Sequence, residues 1–87
     1  MKLKLLGSAI NAATTAGAGA AFDGATLVYC INTDSSAQLV SVANSSNVTQ
    51  GSFHLGAGAS HMVVKEHADK VFAASANVKF TPVAHHA

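Results

Sequence analysis

The chain has 87 residues, of which 49% are hydrophobic and 10% charged, against roughly 25% charged in an ordinary soluble domain. Five lysines, four acids and no arginine leave a net charge of +1, which excludes a basic nucleic-acid binder built on a Lys/Arg stripe, and the apolar content excludes a charge-rich disordered tail. A single cysteine closes no intrachain disulfide, so one small domain must stand on a core worth about 3–5 kcal/mol, and such a chain reads as part of an assembly.

Lys2-Leu3-Lys4-Leu5 alternates polar and apolar side chains, which predicts a strand over residues 2–6. The two lysines ahead of Leu5-Leu6 resemble a secretory signal. Gly7, Ser8, Asn11, Thr14 and Thr15, however, interrupt the apolar centre that a signal needs. No stretch approaches the ~20 apolar residues of a membrane span. Residues 7–24 are rich in alanine, a good helix former, but Gly17, Gly19, Thr14 and Thr15 weaken a helix and no apolar stripe recurs at helical spacing. An extended or loop segment is expected there. Further strands are expected over 25–32, 38–43, 48–55, 60–65, 69–74 and 77–83, separated by Gly, Asn, Ser and Asp clusters at intervals of about ten residues. The fold class is therefore all-β: a small antiparallel β-sandwich or barrel of about six to eight short strands. Its parts are an N-terminal segment over 1–24, a core over 25–83 and a tail over 84–87.

The turns between these strands have a chemistry. Asn32-Thr33-Asp34-Ser35-Ser36 and Asn44-Ser45-Ser46-Asn47 carry side chains that bond nearby backbone and end a strand. Gly56-Ala57-Gly58 tolerates positive φ, and Glu66-His67-Ala68-Asp69 is a polar corner. Pro82 lacks an amide donor and is expected on an edge strand or at a strand end.

Alternation also assigns faces. Phe53 and Leu55 oppose Gln50, Ser52 and His54; Val40 and Val42 oppose Leu39 and Ser41. The segment 25–31 differs, because Leu27, Tyr29 and Ile31 share one face while Val28 and Cys30 share the other. A strand apolar on both faces must be covered on both. One face suits the domain's own core. The other calls for Leu3, Leu5, Leu6 and Ile10 from the N-terminus, or for another chain.

Chemistry-bearing groups are few. Glu66, His67 and Asp69 on one turn, with His61 nearby, could hold a cation, but a solvated polar turn is the simpler reading and no metal site is assigned. His85-His86 lies in the tail. Cys30 sits in the most apolar strand, as an inert core thiol would. No nucleophile elbow is present, and Gly17-Ala18-Gly19 and Gly56-Ala57-Gly58 match no phosphate-loop spacing. Asp23, Asp34, Glu66 and Asp69 all fall in expected turns. No catalytic residue and no cofactor are assigned.

Val28-Tyr29-Cys30-Ile31-Asn32-Thr33 resembles the V-R-V-x-N-T strand end of small virion proteins of tailed bacteriophages. Gly51 to Gly58 resembles their G-S-x-x-L-x-A-G hairpin. Val64-Lys65 and Asp69 to Ser75 resemble their x-x-E-K-x-x-x-D-x-V-x-A-S segment, and Val78 to Val83 their closing strand. Tyr29 stands where that pattern has a basic residue, so no charge contact is carried over from there. The resemblance implies a non-enzymatic structural role in the virion: a capsid decoration (cement) protein made in the host bacterial cytoplasm and bound to the major capsid protein. The alternatives are a small neck or tail component and, from another class, a host-surface carbohydrate-binding module. One tyrosine and no tryptophan count against the last. Homo-oligomerisation is expected, and a trimer would suit a decoration site; no nucleic-acid or membrane partner is expected. The partner-contact candidates are Lys2, Leu3, Lys4, Leu5, Leu27, Tyr29 and Ile31. The first strand could add to a neighbour's sheet edge or serve as the domain's own first strand.

Overall fold

Short β-branched runs between turn formers produce the expected all-β chain. The computed structural model describes residues 2–86, the side chains of Lys2, Leu3, Asp23, His85 and His86 excepted. In chain order the strands are β1 (Lys2–Leu5), β2 (Ile10–Asn11), β3 (Leu27–Asn32), β4 (Gln38–Ala43), β5 (Thr49–Leu55), β6 (Ser60–Val64), β7 (Lys70–Ala73) and β8 (Val78–His86). They form two antiparallel sheets. The larger has the order β1-β8-β3-β6, with β2 also paired to β8; the smaller has the order β5-β4-β7. The two-residue β2 is too short to leave an alternation signal in the sequence.

The core lies between the sheets. Val28, Cys30, Val63, Val78 and Phe80 from the larger sheet meet Val40, Leu55, Val71 and Ala73 from the smaller one, with Ala12 joining from the N-terminal side. Phe53 packs on this cluster from β5 and sets its ring centroid 5.4 Å from that of His61 on β6, which ties the sheets together along one side.

Residues 12–24 close the opposite side. They contain no α-helix, as expected for the segment. Ala12 N–H donates to Val78 O on β8. Ala13 O then accepts from Ala73 N–H, and Ala20 exchanges two hydrogen bonds with Val71 on β7. A 3-10 turn over Phe22–Gly24 leads into β3. This strap saturates the outward amides of β7 and bridges the sheets.

The turn chemistry is realised in detail. Asn32, fully buried, donates to Ser36 O and Leu55 O while accepting from Asp34 N–H. Asn44 Oδ1 accepts from Ser46 and Val48 N–H, and Gly58 takes a φ of 73°. Two expectations need correction. Pro82 is neither on an edge strand nor at a strand end: β8 runs between β3 and the N-terminal strands, and Pro82 lies within it. The sheet tolerates it because its missing donor faces the gap between β1 and β2. There Leu6 N–H bonds Pro82 O and the chain departs at Gly7, whose absent Cβ would lie 3.2 Å from the proline ring. Likewise β8 continues through residues 84–86, which pair with β1, instead of ending at a tail; Lys2 stands opposite His86.

Candidate interaction face

The two sheets present unlike outer surfaces. On the smaller sheet, alternation turns Leu39, Ser41, Ser52, His54, Lys70 and Phe72 outward. Its polar members bond one another and nearby turns: Ser41 and Ser52 hydroxyls are 2.9 Å apart, and Lys70 Nζ donates to Asn47 Oδ1 at 2.9 Å.

The larger sheet turns Leu27, Tyr29 and Ile31 outward from β3, because Val28, Cys30 and Asn32 take the core side. Register extends this stripe across the sheet. Leu5, Val83, Leu27 and Val64 stand in one cross-strand row over β1, β8, β3 and β6, and Thr81, Tyr29 and Met62 form the next. The row is open to solvent at both ends, with Leu5 69% and Val64 79% exposed, whereas Val83 in its middle is buried. Leu27, Tyr29 and Ile31 are half-buried. Two shallow cavities flank Val83. One of about 590 Å³ is bounded by Leu5, the Gly7–Ala9 backbone, Tyr29 and Thr81; the other, of about 400 Å³, by Leu6, Leu27, Val64 and the backbone of 24–26. The N-terminal cover is therefore partial. Leu5 joins the face and Leu6 rims it, while Ile10 pairs with Phe80 at the sheet margin and stays exposed.

Of the partner-contact candidates, Leu5, Leu27, Tyr29 and Ile31 share this face. Lys4 pairs with Ala84 and points to the opposite side of the sheet, and the side chains of Lys2 and Leu3 lie outside the described part of the structure. β1 is committed to the chain's own β8, so it serves as the domain's first strand and not as a free arm.

Elsewhere three titratable groups are set by burial or by hydrogen bonds within the fold. Burial in the core pushes the Cys30 thiol up to about 12. The Asp34 carboxylate accepts from Asn77, Ser75 and Gln38 side chains and from Ser35 N–H; the bond from Asn77 foremost, then that from Ser35 N–H, with Ser75 adding to them, holds its pKa below the ordinary value. Lys65 is a buried lysine that sequence spacing does not single out. Its ammonium donates to Ala21 O at 2.9 Å and to Glu66 O and His67 O at 3.3 and 3.5 Å, and burial pulls its pKa down against the opposing charge of Asp69. Among the described residues no three His, Cys, Asp or Glu side chains converge on a point that would suit a metal ion. Comparison with protein-family models, curated proteins and solved structures returned no match for this chain.

Proposed function

We propose that this chain is a non-enzymatic assembly subunit that docks through the outer face of its larger sheet, and that the assembly is a bacteriophage head on which it serves as a decoration protein. The observation that carries the docking is the apolar row Leu5–Val83–Leu27–Val64, which crosses every long strand of that sheet; the outer face of the other sheet has no such row and mixes Leu39 and Phe72 with Ser41, Ser52, His54 and Lys70. Val83 is already buried in the lone subunit, so docking gains most from Leu5 and Val64, 69% and 79% exposed, each worth up to about 1.5–3 kcal/mol when covered. The row itself carries no charge, Lys79 lying two rows away opposite Ile31, which suits a preformed protein lattice better than a charged polymer. The choice of a virion rests on the strand and turn motifs over 25–83, which resemble small phage virion proteins. With the smaller sheet turned to solvent, the subunit would add a mixed, mainly polar exterior to the surface it covers.

Quantitative mass spectrometry on purified virions of the phage encoding this chain tests the assignment. Hundreds of copies per particle support decoration. A dozen or fewer place the chain in a neck or tail ring instead, and its absence from the particle overturns the virion reading altogether.

A further inference from the structure

We propose that a second copy of this chain pairs with the open edge of β6, antiparallel, about a two-fold axis beside Val63, so that Val64 of each copy lies across from Met62 of the other. This contact runs through the backbone edge of β6 and adjoins the docking face at Val64 and Met62, but it does not depend on what that face binds.

The inference begins with the hydrogen-bond phase of β6. Lys65 N–H donates to Thr26 O and Asn32 N–H to Ala59 O, while the β3–β6 register runs without a shift from Leu27↔Val64 to Ile31↔Ser60. In an antiparallel ladder, bonded and non-bonded pairs alternate. Residues 59, 61, 63 and 65 therefore direct their backbone groups toward β3. The N–H and C=O of Ser60, Met62 and Val64 point away from the sheet, and among the described residues nothing bonds them.

The larger sheet has two edges, β1 with β2 beyond β8 and β6 beyond β3; β1 carries Lys2 and Lys4, charges of the kind that guard an edge, and β6 carries no lysine. Its N-terminal strands line β8, and the strap occupies the outward amides of Val71 and Ala73 on β7. Among the described residues no segment pairs with the outer edge of β6 or of β5. Proteins guard such edges with charges, prolines, bulges or a covering loop. β6 reads Ser-His-Met-Val-Val and has none of these, and Val64 stands 79% exposed on it.

A second copy fits this edge because β6 complements itself. A two-fold beside Val63 brings the outward-directed residues of the two strands into bonded pairs, Met62 with Val64 of the partner subunit and the reverse. Both pairs lie on the outer face, so the most exposed valine gains an apolar neighbour and the apolar rows of the two copies become continuous. The edge is small. The molecule is about 19 Å across its thinnest direction, and a five-residue strand is about 17 Å long, which gives roughly 300 Å² per copy against the ~800 Å² of a standard interface. The pairing is therefore weak in solution and strengthened wherever copies are held side by side.

Sedimentation of the wild-type chain up to about 1 mM should show a mass rising from 8.7 kDa toward twice that value. Met62→Pro removes an outward amide and leaves the β3 ladder intact, so this variant should stay monomeric with unchanged circular dichroism. Should it fail to fold, amide exchange on the wild-type chain reads the same contact: the Met62 and Val64 amides should exchange more slowly as concentration rises. A mixture of Met62→Cys and Val64→Cys chains should cross-link to each other in preference to themselves, with Cys30 buried and silent. Leu5→Lys, on the far strand of the docking face, should leave the dimer unchanged. A wild-type monomer throughout, a closed trimer, a dimer that survives in folded Met62→Pro, or one abolished by Leu5→Lys would each overturn the proposal.

Discussion

Lys65 links two parts of the chain that are distant in sequence. Its ammonium binds Ala21 O just before Phe22, which holds a φ of 56°, a left-handed conformation that a bulky residue adopts only when its surroundings impose it. Lys65→Met keeps the stem and removes the donors. The orphaned carbonyls predict a loss of about 1–3 kcal/mol, a large share of a small domain's stability, measurable by urea denaturation. Asp34 contributes to the acid limb. Its folded-state pKa lies below its ordinary value of 3.8, so its contribution is fully present above that value and is lost as pH falls through the folded-state pKa. Asp34→Asn should make stability less dependent on pH across that window, as read by melting temperature from pH 2 to pH 5. An unaltered pH dependence in the variant would show that the Asn77 and Ser75 bonds do not discriminate between the ionised and neutral acid.

At the scale of elements, the strands were legible because their side chains alternate and their ends carry Asn, Asp or Gly. The segment 38–43 begins and ends where the alternation says it should. The strap was legible only as non-helical. What fixes its path is backbone bonding to β7, through Ala13 and Ala20, and alanine carries no sign of which amides it will satisfy. Gly19 does carry one in the structure: a Cβ there would meet Lys70 Cβ at 3.0 Å and the carbonyls of Ala16 and Val71 at 3.1 Å. Backbone atoms cannot easily yield, so Gly19→Ala should lift the strap at a cost of about 1–3 kcal/mol. The Val71 and Ala73 amides should then exchange faster while those of β3 keep their protection. Pro82 shows the limit of strand-level rules. The residue obeys its need for an unbonded position, but the unbonded position is a gap between two strands on one edge, which only tertiary pairing creates.

For the molecule as a whole, the sequence made plain that β3 is apolar on both sides. Which neighbours join its outward stripe was not legible, because that depends on register: Leu5 and Val64 are 59 positions apart in the chain and share a row only through β8 and β3. Lys4 parts from the other candidates for the same reason, since proximity in sequence does not decide the side of the sheet. Leu5→Lys places a charge in the exposed end of the row without touching the core. It should abolish attachment to undecorated heads in a co-sedimentation assay while leaving the melting temperature within a few degrees of wild type. Undiminished attachment would remove this face from the interaction.

The pairing of Lys2 with His86 brings the first and last described residues to the same corner. A short linker could therefore join them, and the ring so formed could be reopened in the exposed turn at Ala57 with every strand pairing preserved. Such a circular permutant would present its new ends beside β5 and β6, so cargo fused there would sit at the opposite flank from cargo fused to the original termini. One scaffold would offer two display geometries.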